Sequence, residues 1–124
     1  MSLAIAHFAV GAVCMALVLT AAPPVPFQRS LVVLGGIWAM VPDGWRFLPT
    51  HSGAYAHDFH ASGWANLFWF HNALDRADVG DSTGTGALLV AVFFGVTVLA
   101  EYRDYRTPEP VREIAPDAIY GADD

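Results

Sequence analysis

The sequence predicts an all-α fold, a small polytopic membrane helical bundle of three to four helices carrying a His/Asp-rich loop. Three observations predict it. Hydrophobic residues make up 55% of the 124 positions and charged residues only 15%, with a mean hydropathy of +0.41, whereas a soluble domain carries about 25% charged residues. Two apolar runs are each long enough to cross a hydrocarbon core of about 30 Å at about 1.5 Å per residue. Between them, clusters of Pro, Gly, Asp and Ser divide the chain at positions where helices stop.

The first run, Leu3 to Ala22, has His7 as its single strongly polar member. It reads as a retained transmembrane helix and not as a cleaved leader, because no Lys or Arg precedes it and Pro23, Pro24 and Pro26 stand where small residues would mark a processing site. The second run, Leu31 to Val41, is broken at Pro42. It is short, so it either recruits Val25 to Arg29 as an extra turn or ends inside the membrane, and Gly35 and Gly36 allow close helix approach. From Pro42 to His60 the mixture of glycines, prolines, histidines and aspartates suits a structured loop. Ala61 to Ala77 is a third helix, with Trp64, Phe68, Trp69 and Phe70 as an interfacial aromatic belt. Asp78, Asp81, Ser82 and Thr83 resemble a helix stop followed by the cap of the next helix. Gly84 to Ala100 is the last, uncharged span. The expected division is a membrane-embedded helical domain over 1–103 and a polar tail over 104–124.

Six arginines and no lysine against twelve acidic residues leave no basic surface for a run of phosphates, which argues against nucleic-acid binding. An acidic, lysine-free composition suits a salt-rich, halophilic cytoplasm. The single Cys14 provides neither a disulfide nor a cysteine metal site. Arg103, Arg106 and Arg112 in the tail favour a cytoplasmic C-terminus for an integral cell-membrane protein, and four passes would place the N-terminus there too.

All five histidines lie in the first 71 residues. Ionisable groups inside membrane spans are costly to keep, so His7, His71 and Asp75 are functional candidates by default. His71 and Asp75 stand four apart, which puts an imidazole and a carboxylate on one helix face. In a continuous helix His60 would fall on the same stripe, with Asp78, while Ala65, Trp69 and Ala73 would face lipid or other helices. Nitrogen ligands with one or two carboxylates suit zinc first, with manganese or iron as alternatives, and leave a position open for water. The full set of candidate ligands is His7, Asp43, His51, His60, His71 and Asp75. They meet only if the 42–60 loop folds over the helix ends. Asp43 and Asp75 are the candidate catalytic carboxylates.

His7 with Gly11, Gly35-Gly36 leading into Pro42-Asp43, Thr50-His51-Ser52 after Arg46, and His71-Asn72-Ala73-Leu74-Asp75 occur in an order that resembles the LexA-binding, inner-membrane-associated metal-dependent hydrolases, a family distantly grouped with zinc-dependent phospholipases C. The matching elements cover about the first two thirds of the chain. The resemblance implies metal binding at or around His7, Asp43, His51, His71 and Asp75. The family usually carries a further aspartate, and often a histidine, where Trp45 and Arg46 stand here. It also has a long membrane helix between its Thr-His-Ser and His-x-x-x-Asp motifs. His57 or His60 can therefore replace a lost ligand.

These features predict a membrane-bound metal-dependent hydrolase acting on a phosphoester, with a lipid as an amphiphilic substrate and the bilayer as a partner. The competing reading is a non-enzymatic membrane subunit or assembly protein with a structural polar or metal cluster, working as a homo-oligomer or in a larger assembly. A third uses His7 and His71 as axial haem ligands.

Overall fold

The computed structural model describes residues 2–21 and 25–102. Every regular element among these residues is helical: α1 (Ala4–Ala21), α2 (Gln28–Met40), a 3-10 helix (Val41–Phe47), α3 (Thr50–Ala61), a second 3-10 helix (Gly63–Leu67), α4 (His71–Ala77) and α5 (Thr83–Tyr102). The all-α class therefore holds, with five α-helices in place of three or four. Pro23, Pro24 and the polar tail over 104–124 lie outside the described residues.

α1 and α5 are each long and apolar enough to cross a membrane. α2 has thirteen residues, which gives about 20 Å, so it falls short of a full crossing. It gains only Gln28 to Ser30 beyond the apolar run. α1 lies between α2 and α5. Ala12, Ala16, Leu19 and Val32 form the core, with Phe8, Met15, Phe93 and Val96 packed around it. α1 and α2 approach closely because three small residues meet. A Cβ added at Gly11 would overlap the Gly35 carbonyl and lie 2.6 Å from the Ala39 Cβ, and one at Gly35 would lie 2.5 Å from the Met15 Cβ. Gly36 in turn receives the Phe8 ring.

α5 runs parallel to α1. Gly86 near its start faces Leu3 and Ile5, and Glu101 near its end pairs with Arg29 at the start of α2 at 3.5 Å. The starts of α1 and α5 and the end of α2 thus share one end of the bundle, and the short helices between residues 41 and 77 cap that end.

Two expectations are corrected in this cap. The expected loop over 42–60 is a 3-10 helix followed by α3, because Pro49 precedes the first turn and its carbonyl accepts from the Gly53 N–H. Short residues and alanines then carry the helix to Ala61. The expected continuous helix over 61–77 is broken instead, because Trp69 (φ 52°) and Phe70 (φ 61°) adopt left-handed conformations. Such backbone costs about 1–3 kcal/mol for each bulky residue and is kept where its surroundings enforce it. The turn gives α4 a new direction, and Asn66 Oδ1 accepts from the Ala73 N–H at 2.9 Å to satisfy its first turn. Ala65, expected to face lipid or other helices, is fully buried. With no crossing helix in this stretch, three helices run the length of the bundle, not four, and residues 2 and 102 lie at opposite ends.

The expected stop and cap are present. Asp78 Oδ1 accepts from the Ser82 N–H at 3.1 Å, and Ser82 Oγ accepts from the Thr85 N–H at 3.2 Å, so Ser82 is the N-cap of α5.

Candidate metal centre

His7 sits in the second turn of α1, Asp43 in the first 3-10 helix beyond α2, His60 at the end of α3, and His71 and Asp75 on successive turns of α4. Four separate segments therefore place five side chains in one spot under the cap. His60 Nε2 lies 3.3 Å from Asp43 Oδ1 and 3.2 Å from Asp75 Oδ2. His71 Nε2 lies 3.9 Å from Asp43 Oδ1 and 3.8 Å from Asp75 Oδ2. His7 Nε2 is hydrogen-bonded to Asp75 Oδ1 at 3.1 Å. His7 and His71 are almost fully enclosed, at 1% and 0% exposure, and Asp43 and Asp75 are slightly more open, at 13% and 10%.

Two overlapping groups have the proximity that a metal ion requires. They are His7, Asp43 and His71, and His60, His71 and Asp75, and within each group the ligand atoms lie within 4.8 Å of one another. His71 is common to both. Its Nδ1–H donates to the Ala39 carbonyl at 2.8 Å, which fixes the tautomer and leaves Nε2 as the coordinating atom. That Nε2 and the Nε2 of His60 are buried without a hydrogen-bond partner, although carboxylate oxygens stand close by. Buried nitrogens of this kind are normally satisfied, and a cation between them and the carboxylates would satisfy both. The donor set therefore fits a divalent ion.

Burial holds the His60 imidazole below its ordinary pKa, and neighbouring His71 adds to this against the opposing pull of Asp75 and Asp43. For Asp75, burial alone would raise the pKa. The Ser2 backbone N–H donated to it and the nearby His7 and His71 outweigh burial and hold the carboxyl below the usual range. A neutral imidazole facing an ionised carboxylate is the ligand state that metal binding needs.

The structure brings together His7, Asp43, His60, His71 and Asp75, and it leaves out His51. That residue is exposed on the first turn of α3, with its ring 5.8 Å from Tyr55. It is far enough along α3 that only His60, at the other end, reaches the centre. His57, the alternative replacement ligand, is exposed and lies against Trp45, 4.8 Å between ring centroids. We therefore expect His51→Ala to retain metal at the wild-type ratio and His60→Ala to lower affinity by at least about tenfold, as measured by elemental analysis of purified protein after dialysis. Equal retention in the two variants would show that His60 is not a ligand.

The expected helical stripe joining His60 to His71 does not exist, yet their rings lie 4.9 Å apart, because the left-handed turn folds α4 back beside the end of α3. The haem alternative does not fit. The His7 and His71 rings stack face to face with centroids 3.8 Å apart, which leaves no gap for a macrocycle between them.

Three contributors carry little or no sequence signal. The Ala39 carbonyl orients His71, and the Ser2 N–H orients Asp75. Ser2 Oγ also donates to the buried Asp78 at 3.1 Å, which ties the start of the chain to the end of α4. Asp78 is recognisable as a polar residue at a helix end, whereas a backbone acceptor has no residue type to reveal it.

No family model matches the chain, and neither does any curated protein or solved structure.

Proposed function

We propose that this protein is a membrane-bound, metal-dependent hydrolase of phosphoesters, with zinc held among His7, Asp43, His60, His71 and Asp75. The observation that carries the reading is His71. Its Nδ1 is committed to a backbone carbonyl, and its buried, unpartnered Nε2 lies within 4 Å of two carboxylates. A purely structural histidine would have both nitrogens satisfied.

When bound, such a cation supplies Lewis acidity, polarising a phosphoryl oxygen and acidifying water toward a pKa of about 7. The remaining roles belong to the protein. Asp43 and Asp75 are the most exposed members of the cluster, and a carboxylate there can orient water and take its proton. The Ser2 N–H and His7 hold one oxygen of Asp75, which leaves the other facing His60 and His71. The order of motifs that resembles the membrane-associated metal-dependent hydrolases supports the same chemistry.

Arg29 starts α2 at the end of the bundle away from the cap, where α5 also ends, and Arg46 and Arg76 belong to the cap. The arginines that follow α5 in the sequence, Arg103, Arg106 and Arg112, favour a cytoplasmic C-terminus by the positive-inside rule, and the cap would then face the opposite side of the membrane.

The test uses detergent-purified protein stripped with a chelator and reloaded with zinc or manganese. Hydrolysis of bis-p-nitrophenyl phosphate should vanish on stripping and return on reloading. Stoichiometric metal without turnover would favour the second reading, a structural metal site in a non-enzymatic membrane component. That reading draws on the bonds Asp75 already makes to His7 and Ser2.

A further inference from the structure

Both groups of potential ligands include His71, and a neutral imidazole has one free lone pair. With the Nδ1–H of His71 donated to the Ala39 carbonyl, that lone pair is on Nε2, which is buried without a hydrogen-bond partner. His71 therefore serves one ion. The group deprived of it keeps only two side chains, His7 and Asp43 in one case and His60 and Asp75 in the other, so the two groups are alternatives and not two sites.

The geometry points to a single ion held by His60 Nε2, His71 Nε2, Asp43 Oδ1 and Asp75 Oδ2, with His7 outside the coordination shell as a positioning residue that acts through Asp75. The inference rests on the metal-binding part of the proposed function and adds how many ions the centre takes and which histidines touch them. Three observations select this set. Donor atoms around a tetrahedral zinc stand about 3.3–3.6 Å apart when its bonds are about 2.0–2.2 Å. The four separations between imidazole nitrogen and carboxylate oxygen in this set are 3.2, 3.3, 3.8 and 3.9 Å. Ring spacing gives the same answer. Two imidazoles on one ion have centroids about 4.5–5 Å apart at octahedral to tetrahedral angles, given metal–nitrogen bonds of about 2.0–2.1 Å. The His60 and His71 rings are 4.9 Å apart, whereas the stacked His7 and His71 rings, at 3.8 Å, are too close to share an ion. The third observation is the state of each nitrogen. Asp75 Oδ1 accepts from the Ser2 N–H and lies 3.1 Å from His7 Nε2. An ionised carboxylate only accepts, so His7 Nε2 carries the proton and has no lone pair for a metal. An ion bound through His7 would break that bond and leave His60 Nε2 buried without a partner, whereas an ion bound through His60 leaves all three Nε2 atoms satisfied.

The test is zinc titration of the detergent-purified full chain. Ions per chain are counted by native mass spectrometry, and coordinated imidazoles are counted from X-ray absorption at the zinc edge. The wild type should bind one ion and show two imidazoles. His7→Gln, which keeps an N–H facing Asp75, should match the wild type in both counts and in affinity. His7→Leu, which removes that donor, should still show two imidazoles but bind about 10–100-fold more weakly, the usual cost of losing an outer partner of a metal site. His60→Gln should leave one imidazole. Two ions per chain, three imidazoles in the wild type, or one imidazole fewer in His7→Gln would each overturn the proposal and leave a metal-dependent protein standing. Wild-type affinity in His7→Leu would overturn the positioning role, and a wild type that takes up no zinc would overturn the metal centre altogether. Turnover of a phosphoester enters neither count, so the hydrolase reading can fail while this assignment holds.

Discussion

His71→Ala is expected to abolish metal retention. His71 is the one residue shared by both groups of potential ligands. Its replacement leaves His60 and Asp75 in one group and His7 and Asp43 in the other, and two donors do not hold a divalent ion against dialysis. Loss of an outer partner of a metal site typically costs 10–100-fold in affinity, so loss of a direct ligand should cost more than about 100-fold. The measurement is metal per mole of protein after dialysis, with the helical circular dichroism and melting curve recorded alongside. Because the ring is fully buried and stacks on His7, removing it also leaves a void. His60→Ala, at the edge of the same cluster, separates ligand loss from core damage. Full metal occupancy in His71→Ala would remove the centre as described.

The second large effect is expected at the α1–α2 contact, at a position that is not itself a ligand. Gly11→Leu should destabilise the helical pair severely, because the added side chain meets the Gly35 carbonyl and the Ala39 Cβ, both on the opposing helix backbone or fixed to it. Overpacking usually costs about 1–3 kcal/mol and more when backbone must move, and here no flexible side chain is available to give way. Metal should be lost with stability, because the Ala39 carbonyl that orients His71 lies on the displaced stretch of α2. Gly95→Ala in α5 is the counterpart. Nothing lies within 4 Å of its added Cβ, and relief of glycine's entropy in a helix should stabilise by about 0.5–1 kcal/mol. Thermal melts in one detergent compare the three proteins. Equal melting of Gly11→Leu and wild type would show that α1 and α2 do not pack as described.

The two long helices are legible in the sequence because an unbroken apolar run of that length has one economical structure. The convergence of His7, Asp43, His71 and Asp75 is legible for a different reason. Each polar group stands at the end of an apolar stretch, where burying it alone would be costly. The cap is not legible. Residues 42–60 have no 3.6-residue apolar period to announce α3, and their histidines and aspartates read equally well as a loop. The turn at Trp69 and Phe70 runs against local preference, since bulky aromatic residues ordinarily avoid left-handed backbone. His51 and His60 are both candidate ligands from the sequence, and of the two only His60, about two and a half turns further along α3, lies in the centre.

The distance along the chain between the ligands also has a consequence for biogenesis. His7 emerges from the ribosome 68 residues before its hydrogen-bond partner Asp75. Over that interval the first helix carries an unsatisfied imidazole, and the cation-binding groups are incomplete. Any ion loading would therefore wait for α4 to dock, since both groups of potential ligands include His71, and a nascent chain arrested before His71 should bind no ion however much is supplied.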